Sequence, residues 1–144
     1  MDSNFFYCER NNFSLFAEPL NLLTNILFLL FSILLFFDKK VKNKNFSYIL
    51  FGIGIGSMLY HSIANSFTAF VDIAFIILFI FYYLVILYSR LFVRKKYAYT
   101  LSLIFILFCY IFGYLFYDSI LGSSAFYFPI LLHLILLVLY FIYT

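Results

Sequence analysis

Charge is what this chain has least of. Of its 144 residues only 10% are Asp, Glu, Lys or Arg, against 67% hydrophobic and 26% aromatic. A soluble domain of this size cannot hide that much apolar surface, so a water-soluble fold is excluded and the bilayer is the solvent. Cysteine is nearly as scarce. Cys8 lies near the N-terminus, Cys109 lies inside an apolar run, and neither belongs to a Cys-x-x-Cys pair, which argues against a disulfide framework. Three of the five glycines fall in FGIGIGS, Phe51 to Ser57. That is not Gly-x-Gly-x-x-Gly, and no strand precedes it, so nucleotide binding is excluded. The opening MDSNFFYCERNN has no basic n-region beside an apolar h-region, so no signal peptide is expected there. No repeat or low-complexity linker stands out.

What the chain does have is long apolar runs. Charges divide it into uncharged windows at 19–37, 45–71, 73–89, 97–117 and 119–144. Each is near the ~20 residues that a spanning helix needs. Backbone groups in lipid must pair within their own segment, which leaves helices, and the windows are too long and evenly apolar for barrel strands. The expected fold is an all-α transmembrane bundle of five spans: Leu20–Phe37, Phe46–Ala64, Val71–Tyr88, Tyr99–Tyr117 and Phe126–Tyr143. Residues 1–19 form a short segment before the bundle, and residues 20–144 form the bundle itself.

The few charges are unevenly placed. Lys39, Lys40, Lys42 and Lys44 fall in the first connection; Arg90, Arg94, Lys95 and Lys96 fall in the third; only Arg10 remains. With five spans these two connections share a side, which the positive-inside rule makes cytoplasmic. The N-terminus is then expected outside and the C-terminus inside. The net charge of +3 is loop bias and contact with anionic lipid, not a nucleic-acid footprint. Asp2, Glu9, Glu18, Asp72 and Asp118 fall toward the outer side, with Asp38 alone inside. His61, near the outer end of the second span, and His133, about two turns into the fifth, share that outer half.

Two groups of polar residues follow from this sorting. Ser57 and His61 are i and i+4, one turn apart on one helix face, and Asn65 would extend the stripe. Asp72 follows the short turn NSFT and can face back toward His61. Ionisable groups in a span are costly and face a cavity, the bundle interior or one another. His133 is the only strongly polar group of its helix, and a metal shared with His61 is the first partner to consider. The same residues also suit plain helix packing, with the serine bonded to a carbonyl and Asp72 an N-cap. The second group is YCERNNFSLFAEPLNLLTN. Glu9, Asn11 and Glu18, with the Tyr7 carbonyl, are hard oxygen ligands of the kind that suits Ca²⁺. Glu18, Asn21 and Asn25 recur at i, i+3 and i+7, which equally fits an interfacial cap on the first span.

The combination of YCE…AEPLNLLTN with GIGSMLYH…D resembles the alkaline ceramidase family, within the seven-helix membrane hydrolases that include the adiponectin-receptor-like proteins. The bacterial ceramidase-domain proteins look most similar. The resemblance covers roughly residues 7–76 and, weakly, the last helix. It implies a zinc-dependent hydrolase of a ceramide-like lipid amide. Ser57 and Asp72 would be catalytic, and His61 and His133 would be zinc ligands. Tyr7, Glu9, Asn11 and Glu18 would hold calcium.

The chain departs from that pattern in three places. The family's last helix carries His-x-x-x-His; here His133 is paired with Pro129 on one side and Leu137 on the other, leaving the zinc one ligand short of the usual three. The family has seven spans, and five are expected here. A bundle of five is small for a lipid-sized cavity, which makes a homo-oligomer one expected form. Phe5 and Phe6 stand where the family usually has an acidic residue. Two functions therefore remain open. One is a minimal ceramidase-like amide hydrolase; the other is a shortened, inactive relative that binds lipid or a partner. No broken helix marks a transporter.

Overall fold

The computed structural model describes residues 15–91, 94–120 and 122–143. It consists of α1 (Pro19–Phe37), α2 (Asn45–Ile63), α3 (Ser66–Leu91), α4 (Lys95–Leu115), a 3-10 turn (Gly122–Phe126) and α5 (Tyr127–Tyr143), with no strand among the described residues. Helices α1 to α4 are long and apolar enough to cross a membrane. The fifth expected span is a helix of 17 residues, slightly below the usual length. Large apolar side chains such as Leu20, Leu23, Phe31 and Leu34 on α1 stand exposed, as they would toward lipid.

The chain divides into two compact units at Tyr82–Tyr83. In the first, α1 packs on α2 along a stripe of Leu22, Asn25 and Ser32, all buried. Small residues on α2 make this possible. A Cβ at Gly54 would lie 2.5 Å from Leu29 Cδ2, and the buried Ser47 hydroxyl donates to the Ser32 carbonyl at 2.7 Å. Lys44 reaches back across the connection and donates from Nζ to the carbonyls of Leu35 (3.2 Å) and Asp38 (2.7 Å). A lysine read as a topology signal thus also satisfies carbonyls at the end of α1, where the helix leaves them without partners. At the same end of the unit, Asn43 and Asn45 donate to the Tyr82 hydroxyl at 2.6 and 3.1 Å.

The Gly52–Gly56 pair faces α3. A Cβ at Gly52 would sit 2.3 Å from the Phe75 ring, and one at Gly56 would sit 3.3 Å from the Asp72 Cα. Glycine at these positions lets the α3 backbone come close to α2, the use expected of a small-xxx-small pair. The approach brings Asp72 against the turn of α2 that carries Ser57.

Helix α3 differs most from expectation. It begins at Ser66 rather than Val71, so NSFT is not a turn, and Asp72 lies well inside the helix rather than at its start. The reason is local. Asn65 Oδ1 accepts from the Thr68 backbone N–H at 2.9 Å, and Thr68 Oγ1 accepts from the Asn65 N–H at 3.2 Å. This reciprocal cap satisfies two donors that a helix start leaves unpaired. Asn65 consequently caps α3 and does not extend the Ser57–His61 stripe. Ala64 closes α2 with φ 48°, a left-handed conformation that costs a residue with a Cβ about 1 kcal/mol. Ala64 is buried and forms the whole connection with Asn65.

In the second unit, Leu84, Val85 and Tyr88 of α3, Ala98, Ser102 and Cys109 of α4, and Ala125 and Ile130 are buried. Ser102 donates to the Ala98 carbonyl one turn back at 2.8 Å. A Cβ at Gly113 would lie 3.1 Å from the Phe126 Cα, so this glycine lets the 3-10 turn lie directly on α4.

Asn65→Ala removes the cap acceptor. It is expected to lower unfolding stability in detergent by about 1 kcal/mol, with Asn65→Asp close to the native chain.

Candidate functional site

Glu18 precedes Pro19, where a capping residue would stand, yet its side chain caps nothing in α1. It is instead fully buried. Its Oε2 lies 2.5 Å from His61 Nδ1 and accepts from Asn21 Nδ2 at 3.0 Å. Proline at the first helical position fixes where α1 starts and so where this carboxylate enters the bundle. An ionised carboxylate only accepts, so the His61 Nδ1–H is the donor. In the neutral ring the other nitrogen, Nε2, carries the lone pair. A histidine held from behind by a carboxylate is the arrangement that fixes tautomer and ring direction in metal and proton-transfer sites.

Ser57 and His61 are both 8% exposed and Asp72 is 9% exposed. Ser57 and His61 are the side chains that act electrostatically on the Asp72 carboxylate, and Ser57 is positioned to hydrogen-bond it. Asp72 Oδ1 is buried without a hydrogen-bond partner. The structure thus brings together the three residues of the Ser-x-x-x-His…Asp pattern, on two adjacent helices of one unit.

It also joins what the sequence separates. Glu18 is expected in a calcium site and His61 in a zinc site, and here they are bonded to each other. Of the remaining calcium residues, Tyr7, Glu9 and Asn11 lie outside the described residues. His133 belongs to the second unit, where its Nε2 lies 2.7 Å from the Tyr88 hydroxyl and its ring 4.5 Å from that of Phe105. Nothing in the spacing of Tyr88 announces that partnership, because 45 residues separate the two. The Glu18–His61 link had one signal, the shared outer half of the membrane, and spacing alone could not pair them.

Of the two expected zinc ligands, His61 lies in the first unit, with the Asp72 carboxylate on the adjacent helix, and His133 lies in the second. Among the described residues no three of His, Cys, Asp and Glu form a metal-binding group. A catalytic zinc takes three protein ligands, so this donor set does not complete one. No protein-family model matches the chain, nor does any curated protein or solved structure.

Removing one partner of a buried pair strands the other. Glu18→Ala and His61→Ala are each expected to cost about 3 kcal/mol or more in unfolding titrations in detergent. The paired replacement Glu18→Leu with His61→Phe is expected to recover most of that loss. Strictly additive losses would show that the two side chains do not act as a pair.

Proposed function

We propose that this chain is an integral-membrane amide hydrolase of ceramidase type, acting on a ceramide-like lipid amide, with its N-terminus outside and its C-terminus in the cytoplasm. The observation that carries the reading is the meeting of Ser57, His61 and Asp72 in a buried layer, with a carboxylate behind the histidine. The sequence likeness of YCE…AEPLNLLTN and GIGSMLYH…D to the alkaline ceramidases supports it. So does the position of the layer inside a lipid-facing bundle, where a lipid amide would reside.

The side chains divide the work as follows. Asp72 takes a proton from the attacking water as the oxygen bonds to the carbonyl carbon. Ser57 donates to the oxygen that becomes negative. As the carbon–nitrogen bond breaks, Asp72 returns the proton to the leaving amine, giving a fatty acid and a free amine. His61, held by Glu18, lies beside the Asp72 carboxylate on the neighbouring turn. Zinc, when bound, would polarise the carbonyl and lower the pKa of a water to about 7. The steps above are assigned to the side chains alone. Calcium on Tyr7, Glu9, Asn11 and Glu18 would brace the N-terminal segment.

One feature of the sequence favours the alternative, a shortened relative that binds lipid or a partner without turnover: Pro129 and Leu137 stand where a second histidine would pair with His133.

The test is release of fatty acid from a fluorescent ceramide by the purified chain in detergent, with zinc and calcium supplied and then removed by chelators. Turnover is expected, with Asp72→Asn lowering it 100-fold or more, the scale of a lost general base. Absence of turnover under every metal condition, in protein shown to be folded, would establish the inactive reading.

A further inference from the structure

Where α1 passes into α2, two asparagines meet one hydroxyl. Asn43 and Asn45 both donate from Nδ2 to the Tyr82 hydroxyl, at 2.6 and 3.1 Å. The sense of the first bond is fixed, because Asn43 Oδ1 already accepts from the Asn45 backbone N–H at 3.0 Å. That leaves the Asn43 amide nitrogen to face Tyr82. The Tyr82 ring is held edge-on by the Phe46 ring at 5.0 Å. A phenol oxygen that accepts twice has its proton left to offer, and no acceptor for it stands among the described residues. Each asparagine nitrogen has a second hydrogen as well. Three donors therefore gather around one point of the first unit.

The charge around that point is positive. Lys39, Lys40, Lys42 and Lys44 stand against one carboxylate, Asp38. Asp38 is turned into the connection, its Oδ1 accepting from the Lys40 N–H at 2.9 Å. Lys44 is committed to carbonyls at the end of α1. Lys39, Lys40 and Lys42 are exposed, and among the described residues no carboxylate pairs with them. Lys44 stands at the N-cap of α2 without a side-chain bond into that helix, so the positive end of the helix dipole adds to the field. Donors and positive charge together select an anion, and phosphate takes several such donors at once. The neighbours at this end are apolar and aromatic. Phe36 and Phe37 close α1, and Tyr48 lies in the first turn of α2; all three are exposed. The Phe36 ring meets those of Phe37 and Tyr48 at 5.4 and 5.7 Å. A basic connection directly after an apolar span lies at headgroup depth. The exposed rings there suit an acyl chain, which a water-soluble phosphate lacks.

We infer that this cluster binds the phosphate of an anionic glycerophospholipid. The Tyr82 O–H and the second hydrogens of Asn43 and Asn45 would donate to phosphate oxygens. Lys42, next to Asn43 in the chain, would supply countercharge. A zwitterionic lipid brings the same phosphate with an ammonium group, which the exposed lysines repel. The site therefore prefers phosphatidylglycerol to phosphatidylcholine. Its occupant would tie α3, through Tyr82, to the connection between α1 and α2. A basic loop alone also attracts anionic lipid, but through a field that salt screens; donors fixed around one hydroxyl keep their preference in salt. The site lies at the opposite end of α1 from Glu18 and is independent of the hydrolase reading.

The test is electron paramagnetic resonance of spin-labelled lipids in phosphatidylcholine bilayers holding the full chain. It is run in about 1 M salt, where charge attraction is screened within about 3 Å. The share of label immobilised by the protein gives the relative association of phosphatidylglycerol and phosphatidylcholine. Phosphatidylglycerol is expected to associate about tenfold more strongly, the scale of one hydrogen bond to a charged group. Tyr82→Phe keeps the ring on Phe46 and removes the hydroxyl; it is expected to bring the two lipids within about twofold of each other. Asn43→Ala with Asn45→Ala should do the same, circular dichroism showing both variants folded. Lys39→Gln should leave the preference at its native value in this salt. Equal association of the two lipids with the native chain, or a preference that survives both variants, would overturn the proposal and leave a generic basic loop. Displacement of the labelled lipid by millimolar glycerol phosphate would overturn the lipid assignment in favour of a water-soluble phosphate.

Discussion

A carboxylate and an imidazole that meet inside an apolar bundle are the constraint around which the first unit is built. Taking a carboxylate out of water alone costs several kcal/mol, and only close pairing with further hydrogen bonds offsets it. Glu18 is brought to His61 at 2.5 Å and is held a second time by Asn21. Both ends of that contact are placed by helix termini. Pro19 fixes the start of α1, and Ala64 ends α2 three residues beyond His61. The same two helices are also joined by the Ser47–Ser32 bond and by Leu29 packed on Gly54, and moving either terminus by one residue would rotate its polar group about 100° off that seam.

The second constraint is closeness. Gly52 and Gly56 remove the side chains that would keep α3 away from α2, and Asp72 comes to the Ser57 turn as a result. Lipid offers helices little hydrophobic reason to associate, so van der Waals fit and hydrogen bonds carry the packing. The polar layers consequently do two things at once. They bind helices together where they are satisfied, at Ser47 and Glu18, and among the described residues they leave Asn25 Nδ2 and Asp72 Oδ1 buried without a partner.

Much of this could be read from the residues. Three of the five expected helices begin within a residue of their observed starts at Pro19, Asn45 and Tyr127, because charge interruptions are abrupt in so apolar a chain. The shared face of Ser57 and His61 was legible from their i, i+4 spacing, and Asp72 was expected to face back toward His61. What could not be read is contact between distant segments. Helical periodicity says which residues share a face, not which face meets which, so spacing could not pair Glu18 with His61 or Tyr88 with His133. The start of α3 was missed for a different reason. Asn65 and Thr68 resemble loop residues by composition, and only their reciprocal bonds reveal a cap. Lys44 was legible as a charge but not as the partner of two helix-end carbonyls.

The most direct test of the central contact is nitrogen NMR of the histidine-labelled chain in detergent. A carboxylate at Nδ1 fixes the tautomer, so His61 should show a protonated Nδ1 and a lone-pair Nε2, and Glu18→Gln should shift its Nδ1 resonance. A His61 ring protonated at Nε2, or one that ignores the change at Glu18, would contradict the account.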